Sequence, residues 1–212
     1  VRRPLEYSQK KLNDVMKWRE SEDAVGIPDF VKLANGPDNS VVAVCFPERL
    51  TKAKALAASL NNGSIYFHGM TKDGKPVMWI RTNRKPWFPD VDADANALIL
   101  LSDAGIRCMP KGITDFVVIA DSSSPPPPNP NFMIKMLKAL VRGYPDRLAL
   151  LCSAPVSSIV QFVMNLLLPL MPGRLASKVV LLDIESMKIK LSALMENGAD
   201  DIPNFFGGTC NH

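Results

Sequence analysis

Histidine is almost missing from this chain: His68 and His212 are the only two among 212 residues. Cysteine is scarce as well. Cys45, Cys108, Cys152 and Cys210 lie far apart and form no C-x-x-C pair. No metal-ligand spacing results, so no metal site is expected. A Ser-His-Asp or Cys-His site stays open in principle, but no G-x-S-x-G elbow supports one. Neither G-x-G-x-x-G nor G-x-x-x-x-G-K-[ST] occurs, so nucleotide chemistry has no anchor. Charge is sparse too: 22% of residues are charged and the net charge is +4. A nucleic-acid binder is usually more basic, with its charge concentrated. No nucleic-acid partner is expected, and only a weak preference for anionic surfaces remains. No near-continuous apolar stretch approaches the roughly 20 residues of a membrane-spanning helix. No signal-peptide pattern opens the chain, which starts at Val1 and reads as a piece excised from a longer protein.

What is abundant is apolar mass, at 47% of residues. Disorder is thereby excluded, and the length suits one large domain or one domain with a short appendage. Cys45 in VVAVCF and Cys152 in LALLCSA sit inside apolar runs. They read as reduced, buried thiols of an intracellular protein.

Residues 5–22 have helical periodicity. A short helix is predicted at Asp29 to Ala34, stopped by Asn35-Gly36-Pro37. A strand is predicted at 41–46 and an Ala-rich helix at 47–60. Residues 64–68 and 76–81 bracket a Lys72-Asp73-Gly74-Lys75 turn, a hairpin signal. A helix is predicted over 90–109, with Asp92 and Asp94 at its positive end. Residues 115–121, 148–153 and 178–183 are apolar runs of the kind buried on both faces of a parallel sheet. Between them lie an extended loop SSSPPPPNP (122–130), an amphipathic helix over 131–142 and an apolar helix over 157–171. A helix over 186–195 follows. The order predicts an α/β domain with a mainly parallel sheet and right-handed crossovers.

The helix SSIVQFVMNLLLPLM (157–171) is the most informative segment. Ser157, Gln161 and Asn165 form one thin polar stripe and the rest is apolar. Such a helix must be covered on both sides. Either it is buried between other helices, or it is a lid with a greasy ligand inside and a membrane outside. Pro169 and Pro172-Gly173 would end that lid at a bendable place. Asp146, after Tyr144-Pro145, reads as half of a solvated loop pair or as an acceptor for ligand hydroxyls. Lys178 reads as surface solubility or as a point charge for a phosphate.

The ordered set KWRE (17–20), YFHGMTKDGKPVMWIR (66–81), VVIAD (117–121), LVRGYPDRLALLCSAP (140–155), the apolar helix, SKVVLL (177–182) and IPNFFGG (202–208) resembles the CRAL-TRIO lipid-binding domain. That family includes carriers of retinaldehyde, tocopherol and phosphatidylinositol. The resemblance implies an N-terminal helical region over 1–60, a shortened bundle, and a lipid-binding domain over 61–212. It implies a pocket floored by the sheet and gated by 157–171, with Ile159, Val160, Phe162, Val163, Leu166, Leu167, Leu170 and Met171 as gate and lining. Asp146 and Lys178 fall at headgroup positions of the phosphatidylinositol-binding members. The position of a helping Thr is Leu175, and Arg2 or Arg3 corresponds to a bundle arginine.

Pro172-Gly173 and Gly207-Gly208 would be hinges, the latter pair with an ordinary turn as its plain alternative. Met133, Met136, Met164, Met171 and Met195 would be adaptable lining or simply core. Lys52, Lys54, Arg81, Arg84, Lys85 and Arg174 would touch anionic headgroups. Trp79 and Trp87 read as packed, or at best as interfacial anchors. The expected function is non-enzymatic: the chain binds a phospholipid, phosphatidylinositol included, or another small lipophile, and carries or presents it between membranes. The alternative is a lipid-sensing or protein-docking module. No cofactor beyond the bound lipid is implied. The expected setting is cytoplasmic with transient membrane contact. The proline loop 125–130 is a solvated linker, or a polyproline ligand for an SH3-like partner.

Overall fold

The computed structural model describes residues 4–21, 31–35, 41–45 and 50–211, the backbone alone for 31–35, 41–45 and residue 50. Arg2, Arg3 and His212 lie outside the described residues. Two units emerge from the packing. One takes in residues 1–61, 90–100 and 129–146; the other takes in 62–89, 101–128 and 147–212.

The first unit contains α1 (Leu5–Arg19), β1 (Val31–Asn35), β2 (Val41–Cys45), α2 (Leu50–Asn61), the first turns of α3 (Val91–Arg107) and α4 (Pro130–Lys138). The predicted helix at 29–34 is not formed: Val31–Asn35 is a strand paired antiparallel with Val41–Cys45. VKLAN is too short to sustain a helical period, and the β-branched VVAVC run beyond Asn35-Gly36 supplies a ladder instead. Ala53, Leu56 and Ala97 seal α2 against α3, with Leu60 and Leu100 beside them.

Asp92 and Asp94 lie in the first turn of α3, as expected, and Asp90 caps it: its carboxylate accepts the Ala93 N–H at 2.8 Å. Asp94 instead accepts the Ser59 hydroxyl at 2.8 Å, and Asp92 pairs with Lys135. Asn129 caps α4, and Pro130 opens it, so the proline loop runs directly into the helix. The predicted helix over 131–142 changes to a π turn at Ala139–Gly143.

The second unit is built on β3 (Ile65–Met70), β4 (Pro76–Arg81), β5 (Phe116–Asp121), β6 (Leu148–Ala154) and β7 (Val179–Leu181), in that spatial order. β3 and β4 form the predicted hairpin; β4, β5, β6 and β7 run parallel. α5 (Ser158–Leu167) and α6 (Gly173–Ala176) lie between β6 and β7, and α7 (Ile184–Leu194) follows β7.

The two sheet faces differ. The face with Val77, Trp79, Val117, Ile119, Cys152 and Ala154 is fully buried under Met187 and Leu191 of α7 and under Met195, Ile202 and Phe206. Met195 is therefore core on this face. Trp79 is fully buried and donates its Nε1–H to the His68 carbonyl at 2.9 Å. Burial pushes the Cys152 thiol up to about 11, as expected for an inert core thiol. The register places Ile80, Ala120, Ser153 and Leu181 in one row on the other face, beside the row Phe67, Met78, Val118, Leu151 and Val179.

Candidate functional site

On that second face the side chains are apolar; Met78 and Val118 are buried, while Ile80, Ala120, Leu151, Val179 and Leu181 are only half-buried. Ser153 is the exception in polarity, and its hydroxyl is already engaged with that of Ser122 at 2.7 Å. This face offers water almost nothing to bond. Leaving those half-buried positions partly open is unfavourable by about 25 cal/mol per Å² unless something apolar covers them.

α5 is shorter than the sequence predicts. It spans Ser158–Leu167 and gives way to a 3-10 turn at Leu168–Leu170. Leu168 keeps helical dihedrals, but Pro169 has no N–H to bond back to the Asn165 carbonyl and its ring crowds that carbonyl, so the α-helical ladder ends at Leu167. Ser157 caps the start by accepting the Val160 N–H at 3.3 Å. Gln161 and Asn165 bond each other along the polar stripe at 2.9 Å. Val160 and Met164 point inward and are buried; Val163, Leu167 and Met171 are half-buried. Ile159 (47%), Phe162 (65%), Leu166 (52%) and Leu170 (60%) are exposed. The helix is thus not buried all round. It turns one apolar ridge inward and a second one to solvent, a pattern that marks an interaction surface.

The predicted headgroup residues fall in different units and are described separately. Lys178 is half-buried, and its ammonium donates to the Leu148 carbonyl. Its two remaining N–H donors have no partner among the described residues. Leu175, at the position of the helping Thr, is half-buried. Asp146 is exposed and sits at φ 61°, a left-handed conformation that aspartate tolerates better than most residues.

The residues around Asp146 have a structural purpose that the motifs concealed. Trp18 of the KWRE segment packs edge-on against Tyr144, with ring centroids 5.8 Å apart. The Arg19 guanidinium lies 5.1 Å from both ring centroids. The Tyr144 hydroxyl donates to the Ile99 carbonyl at 3.1 Å. Beside this cluster Lys11, Asp14, Lys17, Trp18, Ser21, Val141 and Arg142 line a groove of about 400 Å³.

Of the predicted hinges, Pro172 and Gly173 are exposed, with open space around Gly173. Gly208 is pressed against the Ile202 carbonyl, where a Cβ would not fit. Gly207 adopts the left-handed conformation after Phe206, which fits the plain turn. Phe205 and Phe206 pack against the buried face, as expected. Among the predicted membrane-facing cations, Lys52, Lys54, Arg84 and Arg174 are exposed, whereas Arg81 stacks 4.1 Å above the Phe205 ring. Trp87, read as packed or at best as an interfacial anchor, is not packed: it is exposed together with Phe88. Pro127 and Pro128 of the proline loop are exposed; Pro125 and Pro126 are half-buried.

Among the described residues no helix is long and apolar enough to cross a membrane, and no three His, Cys, Asp or Glu side chains gather as metal ligands. The thiol–imidazole contact of Cys210 with His68, at 3.2 Å, was not legible in the sequence, where the two are 142 residues apart.

No curated protein matches the chain. The crystal structure of Sfh5 superposes with a TM-score of 0.54 at 12% identity, covering 84% of this chain. The chain spans 61% of the Sfh5 chain. At that identity the likeness speaks for the fold, a parallel sheet with crossover helices. The family described as CRAL/TRIO domain matches residues 60–208, a stretch running from the end of α2 through the Gly207-Gly208 turn. With that match over more than half its length, the chain belongs to the CRAL/TRIO domain family of lipid-binding proteins.

Proposed function

We propose that the second sheet face is the floor of a lipid pocket, that α5 is its gate, and that the protein carries a phospholipid-class lipophile between membranes. The observation that carries this reading is the asymmetry of the sheet: one face sealed, the other apolar and half-open.

Topology supports the gate. From β4 to β7 each strand is laid down on the same side of the last, so right-handed crossovers all fall on one face. The crossover from β4 to β5 runs through α3, whose Gly105 lies against Phe67 of the half-open face. The crossover through α5 then belongs over that face too, with Val160 and Met164 turned toward it. Burying an acyl chain there stabilises by about 0.8 kcal/mol per CH₂, roughly what the bilayer itself provides. Exchange between the two is then nearly neutral, and access becomes the controlling step. The outward ridge Ile159, Phe162, Leu166 and Leu170 would enter the membrane interface while α5 swings on Pro172-Gly173.

Lys178, with two donors to spare, would bind a lipid phosphate. Leu175 has no donor to add, which favours a phospholipid held mainly by its chains. Chemistry on the lipid is not part of the proposal. Native mass spectrometry of protein from its source, followed by extraction, should release a lipid. Purified protein should then move a fluorescent phospholipid from donor to acceptor vesicles. Binding without transfer would make the domain a sensor; protein free of lipid and unable to take one up would overturn the reading.

A further inference from the structure

His68 stands at an irregularity in the β3–β4 ladder, where the register shifts between Phe67 and Met70. Bulges of this kind re-aim a side chain. Its backbone is pinned there by the Trp79 indole, which donates to the His68 carbonyl at 2.9 Å. Cys210 is fixed from the opposite end of the chain. Its N–H donates to the Ile202 carbonyl at 3.2 Å, and its carbonyl accepts from the Asn204 N–H at 2.8 Å. The Cys210 thiol and the His68 Nε2 meet at 3.2 Å, and both residues are half-exposed. The pair stands beside the sealed face: Cys210 bonds Ile202, part of the core packed there.

We propose that Cys210 and His68 form a reactive thiol–imidazole pair, a thiolation site for small disulfides of the glutathione type. The Cys210 S–H donates to the His68 Nε2. As the sulfur attacks one sulfur of the incoming disulfide, the Sγ–S bond forms and the old S–S bond breaks. The electron pair of the broken bond leaves on the departing sulfur, which takes the proton from His68. Cys210 is oxidised to the mixed disulfide and half of the reagent is reduced to free thiol, so no further oxidant is needed. The same molecule contains two reference thiols: Cys108, exposed, and Cys152, buried.

The test exposes the full chain to oxidised glutathione at pH 7, quenches in acid and follows each cysteine by peptide mass spectrometry. Cys210 should react about tenfold faster than Cys108, and Cys152 should stay unmodified. His68→Gln should slow Cys210 by about tenfold and leave Cys108 unchanged. Iodoacetamide, which needs the same proton removal but no disulfide, should give the same ranking. Cys210 reacting no faster than Cys108, or a His68→Gln rate equal to the parent rate, would overturn the proposal. If His68→Gln does not fold, the ratio of Cys210 to Cys108 in the parent chain decides.

Discussion

The Tyr144 ring is held by the Trp18 edge, by the Arg19 guanidinium and by the bond from its hydroxyl to the Ile99 carbonyl. Gly143 makes this cluster possible: a Cβ there would come within 2.5 Å of the Trp18 ring. KWRE and GYPD were legible as motifs, but their meeting was not. Nothing in a one-dimensional pattern says that an indole and a phenol 126 positions apart share an edge (144 less 18). Overpacking of this kind costs about 1–3 kcal/mol, so Gly143→Ala should lower Tm by about 3–10 °C. Gly173→Ala, with open space around it, should leave Tm within about 1 °C. Paired thermal melts check both; equal melting points would remove the Trp18 contact from the account.

Elements were read best where burial dictated them. The runs at 115–121, 148–153 and 178–183 all yielded strands, although β7 keeps just Val179–Leu181. A strand inside a parallel sheet carries apolar residues on both faces, and that signal survives without context. The segment at 31–35 carried no such signal; its partner strand decided it. α5 was legible as apolar on both sides, but which ridge stays exposed was not, because exposure depends on what neighbours leave uncovered.

Its outer ridge now separates two substitutions. Phe162 is largely exposed, so Phe162→Asp should keep Tm within about 1 °C while removing roughly 2 kcal/mol of interfacial burial. Binding to anionic vesicles, followed by sedimentation, should weaken about tenfold or more. Val160→Asp, one turn of polarity placed inward, should instead unfold the helix, visible as a loss of Tm of several degrees. Undiminished vesicle binding by Phe162→Asp would take the ridge out of the membrane contact.

At the scale of the molecule, the composition foretold a large core but not that one side of the sheet would be left half-open. That property lives in the register, which pairs Ala120 with Ser153 and Asp121 with Ala154. The two alanines sit in neighbouring strands on opposite faces: Ala154 is fully buried in the sealed core, Ala120 half-buried on the open floor. An enlarged side chain therefore reports what fills each side. Ala154→Phe forces extra volume into a close-packed core and should cost about 1–3 kcal/mol, several degrees in Tm. On the proposed reading Ala120→Phe finds room above it, and the lipid-free protein should keep its Tm within about 2 °C.

The same ring then occupies space the lipid needs. In the parent chain a bound lipid raises Tm by mass action, by RT ln(1 + [L]/Kd) in free energy, whereas in Ala120→Phe that rise should disappear. The two effects are independent: a normal melting point alone shows the floor to be open, and the missing lipid response shows that lipid is what fills it. Melting both variants with and without phospholipid vesicles distinguishes the cases. Should Ala120→Phe lose as much stability as Ala154→Phe, polypeptide rather than lipid already fills the floor, and the carrier reading falls with it.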